Sequence, residues 1–170
     1  MLHLFIANQA NDKKDYDPRM LITTALCYAT EPRRPIQQLH EIVTPVMMWN
    51  GEHSDTPGAK LPTGVLYRFA REAWGSAAAA DFSTYEGKAP AAKKIQDHAC
   101  VKESMVTCDL GWLTVRFMHK LNPAETIAES EIYSAVTGKE IDEAEMDRTG
   151  EKIYNLQRAL LLRQGWQGRE

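Results

Sequence analysis

Residues 142–165, DEAEMDRTGEKIYNLQRALLLRQG, decide the fold. Asp142 followed three residues later by Glu145 is a D-x-x-E capping box, in which side chains satisfy the first unpaired N–H groups of a helix. Ile141 and Met146 stand at the staple positions on either side. Met146, Ile153, Leu156 and Leu160 then recur at helical spacing, and Gly165 follows the last of them, where helices stop. The pattern predicts a helix packed along that apolar stripe. Inside it, Gly150 costs roughly 1 kcal/mol against alanine. Such a glycine is either a tolerated weak spot or the place where another backbone comes close.

The same punctuation recurs upstream. Asp17-Pro18 is a cap followed by a first-turn proline, and Met20, Leu21, Thr24, Ala25 and Tyr28 form an apolar helical stripe stopped at Glu31-Pro32. A second, short helix is predicted over 35–43. Residues 50–62, rich in glycine, proline and polar side chains, read as a surface loop. Thr63 caps a helix through Leu66, Phe69, Ala70 and Ala73 that stops at Gly75. Residues 76–87, an alanine run followed by turn residues, read as a loop over the surface. Pro90 opens a helix in which Ala91, Ile95, Ala99 and Lys102 share a face, and Asn122-Pro123 opens another that closes at Gly138. The best strand candidate, 113–117, is short, and no internal repeat exists. The predicted fold is all-α: an irregular bundle of about six helices in a single domain over 1–170, with 1–15 left unassigned.

A chain of 170 residues with 44% hydrophobic and 25% charged residues has the balance of a globular domain with a true core. Twenty Lys and Arg against 23 Asp and Glu leave a net charge of −3, which offers no basic excess for a nucleic-acid backbone. No apolar run approaches the ~20 residues of a membrane span. Three cysteines, Cys27, Cys100 and Cys108, make an odd set without a C-x-x-C pair. The count fits a reducing compartment and rules out a four-thiolate metal site built by this chain alone. A cytoplasmic location is expected.

Cys108 stands where a polar helical stretch gives way to Gly111 and Trp112. A thiol at a helix end reaches a metal more readily than one inside a helix, whereas a buried thiol serves as a small hydrophobe. Cys27 and Cys100 fall inside helical patterns and read as core. His40, after the turn Pro32-Arg33-Arg34-Pro35, can move a proton near neutral pH or simply be solvated. Arg33 and Arg34 suit a phosphate or carboxylate, or an exposed turn. His53, His98 and His119 carry no partner pattern and read as solvated.

Three segments together resemble a known family. The run Tyr133-Ser-Ala-Val-Thr137-Gly138, then Asp142-Glu-Ala-Glu145, then Gly150-Glu-Lys-Ile153-Tyr-Asn155-Leu156-Gln-Arg158 and Arg163-Gln-Gly165 is similar to the C-terminal region of the tungsten-containing aldehyde:ferredoxin oxidoreductases. Asp15-Tyr16-Asp17-Pro18-Arg19 with Tyr28-Ala29-Thr30 resembles that family's Y-D-P-R and Y-A-T segment, and Glu103 to Cys108 resembles its D-x-x-G-L-C motif. The likeness extends from about Tyr16 to Gly165.

The resemblance implies the helical C-terminal part of an enzyme that oxidises an aldehyde or related substrate and passes electrons through a [4Fe–4S] cluster to ferredoxin. Such enzymes hold tungsten, sometimes molybdenum, between two pterins. It implies Cys108 as the fourth cluster ligand and Glu103 as the carboxylate at the pterin. His40 is the nearest histidine to the family's active-site position, where an ungapped match falls on Gln37. Val106 and Thr107 replace the family's glycine and leucine, and valine there removes backbone freedom. The other three cluster thiolates would come from a C-x-x-C-x-x-x-C run in a missing amino-terminal part. This chain is therefore expected to be a fragment, a truncated product or half of a split enzyme, inactive and without cofactor by itself. The rival expectation is a non-catalytic helical interaction module derived from the family.

Overall fold

The computed structural model describes residues 22–30, 55, 62–107 and 129–166. Within them the chain forms five α-helices and no strand: α1 (Ile22–Thr30), α2 (Thr63–Trp74), α3 (Lys88–Ser104), α4 (Glu129–Thr137) and α5 (Glu143–Arg163), with a 3-10 turn at Ala77–Ala80. The all-α expectation holds. The predicted helix over 35–43, most of the 50–62 loop, the short strand candidate and the Asn122-Pro123 helix start lie outside the described residues.

α3 is the axis on which the other elements pack. It touches α1, α2, the 3-10 turn and, most extensively, α5. Ala91, Ala92, Ile95, Gln96, Asp97, His98, Ala99, Cys100, Val101 and Lys102 are all buried. A helix surrounded on this scale needs small side chains where neighbours press closest, and Ala91, Ala92 and Ala99 supply them. The core joins Cys27 of α1 to Phe69, Ala70 and Trp74 of α2 and to Ala79, Ala80, Ala91, Ala92 and Ile95. Phe69 and Trp74 meet edge to face, with centroids 5.0 Å apart, a favoured aromatic geometry.

Local chemistry sets the helix ends. Asp142 caps α5, its carboxylate accepting from the Glu145 N–H at 2.6 Å. Gly75, Gly138 and Gly165 follow α2, α4 and α5 with positive φ, as left-handed end residues do.

Three expectations are corrected. Thr63 is the first residue of α2 rather than its cap, and Pro62 before it gives no side-chain cap bond. The alanine run is core rather than surface loop: Ser76 accepts from the Ala78 N–H and starts the 3-10 turn, and Ala79 and Ala80 are buried. The alanines are too small to hold the turn off the core. Finally, the stripe on α5 is only partly buried. Met146 is 3% exposed, but Leu156 is 60% and Leu160 49% exposed. The seat of α5 on α3 is centred on Gly150, and at ~100° per residue Leu156 and Leu160 lie ~120° and ~80° around the helix from it.

Candidate functional site

Of the three residues expected to form a site, Glu103 lies on the last turn of α3 and is half-buried, whereas His40 and Cys108 lie outside the described residues. The described backbone stops one residue short of Cys108, at Thr107.

That last stretch is informative. α3 ends at Ser104, so the helix stops between Glu103 and Cys108. The Met105 N–H donates to the Val101 carbonyl at 2.9 Å, the Val106 N–H to the Glu103 carbonyl at 3.0 Å, and the Thr107 N–H to the Lys102 carbonyl at 3.1 Å. The last two bonds are the 5→2 and 6→1 pair of a Schellman turn. α5 ends the same way: Gly165 N–H donates to Leu162 O at 3.1 Å and Trp166 N–H to Leu161 O at 3.0 Å.

The two turns differ in the residue that takes the left-handed conformation. At the end of α5 it is Gly165, with φ 93°; at the end of α3 it is Val106, with φ 58°. Val106 is the only non-glycine residue with positive φ among the described residues. A left-handed L-residue costs roughly 1–2 kcal/mol, and a β-branched one is the rarest occupant of that region. Val106 therefore holds this turn under strain. The reversal at the end of α3 occurs at Val106. Thr107 adds a bond that leucine lacks, its hydroxyl donating to the Lys102 carbonyl at 2.9 Å.

The C-terminal motif segments serve packing. Gly150 faces the backbone of α3, where a Cβ would stand 2.1 Å from the Asp97 carbonyl oxygen. Of the two readings of this glycine, close approach is the correct one. Tyr154 Oη donates to the Thr30 carbonyl at 2.6 Å and Arg158 Nη1 to the same oxygen at 2.9 Å. Thr30 is the last described residue of α1, so these donors tie α5 to that part of the helix. Arg158 also lies over the Tyr154 and Trp166 rings, 5.9 and 5.1 Å from their centroids. The Gln96 amide of α3 binds the same helix end, donating to Thr30 Oγ1 at 2.8 Å and to the Cys27 carbonyl at 3.2 Å.

Titratable groups inside the fold include some that sequence spacing does not reveal. His98 is buried rather than solvated, with Nε2 3.2 Å from Oε1 of Glu129, which is itself 2% exposed. Lys88 is 1% exposed; its ammonium donates to the Ala79 carbonyl and lies 5.5 Å from the Phe82 ring centroid. Burial pushes the Asp97 carboxyl up, against the opposing hydrogen bond from Lys93. Lys93 spans Asp97 at 2.6 Å and Glu151 at 3.0 Å, and the bond to Asp97 raises its pKa. Each contact joins residues too far apart in the chain, or too ordinary in type, to signal itself.

The thiols test the cofactor expectation. Cys27 and Cys100 are buried, and Cys27 Sγ contacts the Ala92 carbonyl at 3.7 Å. Among the described residues no three His, Cys, Asp or Glu side chains converge as a metal site. A cluster bound by four thiolates does not fit this set, which offers Cys108 as one ligand at most. No helix among the described residues is long and apolar enough to cross a membrane.

A family model described as aldehyde ferredoxin oxidoreductase, domains 2 and 3, matches residues 7–170. No curated protein and no solved structure matches the chain.

Proposed function

Because the chain belongs to the aldehyde ferredoxin oxidoreductase family, within its domains 2 and 3, we propose that it is the helical portion of an oxidoreductase of that type. The complete enzyme would act on an aldehyde or related substrate. The observation that carries the reading is the match over residues 7–170.

In this reading the rest of the enzyme brings the pterin-bound tungsten or molybdenum and three of the four cluster thiolates. The cluster supplies a route for single electrons towards ferredoxin. This chain supplies the end of α3. Glu103, half-buried on its last turn, offers carboxylate oxygens to the donor groups of a pterin. Cys108, just after the turn, offers one thiolate. His40 holds or accepts a proton near the substrate.

The test is assembly with the amino-terminal part that carries a C-x-x-C-x-x-x-C run, sought first in the neighbouring reading frame. Anaerobic reconstitution of the assembled protein is expected to give one [4Fe–4S] cluster, and Cys108→Ser is expected to alter or abolish its spectrum. A full cluster on the separate chain, or an unchanged spectrum in the Cys108→Ser assembly, overturns the reading.

The exposure of Leu156, Leu160 and Leu162 on one helix favours a second reading, a non-catalytic interaction module. A complex with the amino-terminal part that forms equally well without any cofactor, and that no substitution at Cys108 affects, selects it.

A further inference from the structure

We propose that Thr107 is a positioning residue, whose hydroxyl holds Val106 in its left-handed conformation and thereby fixes the direction in which the chain leaves α3. Two observations on adjacent residues carry this. Val106 has φ 58°, a conformation its branched side chain opposes. It is also 93% exposed, so packing of its side chain does not hold it there. Conformations of this kind persist only where surrounding bonds over-determine them. Besides the Val106 N–H bond to the Glu103 carbonyl at 3.0 Å, two bonds converge on one acceptor: the Lys102 carbonyl takes both the Thr107 N–H at 3.1 Å and the Thr107 hydroxyl at 2.9 Å. The corresponding turn after α5 has Gly165, which needs no such help, followed by Trp166, which has no hydroxyl. Valine and threonine thus act as a pair: one loads the turn and the other latches it. The inference rests on the proposed function only in naming Cys108, the next residue, as what the latch serves.

The experiment uses the full chain and four variants: Thr107→Val, which keeps shape and loses the hydroxyl; Thr107→Ser, which keeps it; Val106→Gly; and Val106→Gly with Thr107→Val. Two readouts are taken, the Tm and the rate at which iodoacetamide labels Cys108, with buried Cys27 and Cys100 as slow internal references. Thr107→Val is expected to lower Tm by about 2–4 °C and to raise the Cys108 labelling rate at least about threefold, while Thr107→Ser stays near the parent. Val106→Gly is expected to raise Tm, and in its presence Thr107→Val is expected to lose most of its effect on both readouts. Additive effects in the double variant overturn the proposal, as do equal labelling rates in all five proteins or a Thr107→Ser that behaves like Thr107→Val. These readouts require no cofactor, so their outcome is separate from that of the cluster spectrum.

Discussion

Gly150 of α5 lies against the Asp97 carbonyl of α3 so closely that an added Cβ would stand 2.1 Å from the oxygen and 2.7 Å from its carbon. Helix propensity alone predicts that Gly150→Ala stabilises by roughly 1 kcal/mol. The contact reverses the sign. The obstructing atoms are backbone, so the two helices must separate along their main interface. We expect Gly150→Ala to destabilise by about 2–4 kcal/mol, read as a fall in Tm or in urea midpoint.

Removal of the donors at Thr30 should loosen α1 selectively. Tyr154→Phe deletes one neutral hydrogen bond and is expected to cost about 1 kcal/mol. Arg158→Lys should cost as much or more, because lysine keeps the charge but loses the planar group that lies over two rings. Hydrogen exchange at the α1 amides checks this: faster exchange there, with α5 amides unchanged, is the expected pattern.

The His98–Glu129 contact joins α3 to the start of α4 in a buried setting. Removing one member of a buried polar pair leaves the other unsatisfied at a cost of about 1–3 kcal/mol, while replacing both by apolar groups of similar shape costs far less. Glu129→Ala should therefore be severe, Glu129→Gln milder, and His98→Leu with Glu129→Leu better than the sum of the single changes. A double-mutant cycle by chemical unfolding measures that coupling.

Asp97 gives a pH signature. Burial raises its folded pKa above the usual 3.8, so the folded state holds its proton to higher pH than the unfolded state does. Asp97 therefore costs no stability below about pH 3.8, and its penalty grows as pH rises through the folded pKa. Asp97→Asn should flatten that decline in unfolding curves taken from about pH 4 to about pH 8. Lys93 has the opposite sense: its folded pKa lies above 10.5, and its contribution is present below that value and lost above it. Because Lys93 is largely exposed, that contribution is small.

Several helix ends were legible in the sequence because their signals are local, although Thr63 lies inside α2 and α3 starts at Lys88, two residues before Pro90. Asp142, Gly75, Gly138 and Gly165 act within a turn of where they stand, and the structure uses each as its spacing suggests. The same local logic misplaced Leu156 and Leu160, since periodicity identifies an apolar face but not how far a partner helix extends along it. His98 read as solvated because Glu129, its neighbour in space, is 31 positions later in the chain. The strained turn was not legible: valine in place of the motif's glycine reads as lost backbone freedom, and only backbone geometry shows Val106 in the left-handed conformation. His40 and Cys108 remain expectations from the motif, lying outside the described residues.

The Thr30 carbonyl of α1 receives its donors from residues 124 and 128 positions further along. During synthesis, α1 leaves the ribosome long before Tyr154 and Arg158 exist. At the usual ~5–20 residues per second, it waits on the order of ten seconds without them. A short helix is marginal in water without tertiary packing. The end of α1 therefore gains its last two donors only after translation has passed Arg158, whereas the Gln96 amide and the packing on α3 are available much earlier. A nascent chain halted before that point lacks these two donors at Thr30, although the core around Cys27, built from α2, the 3-10 turn and α3, is already complete in its sequence.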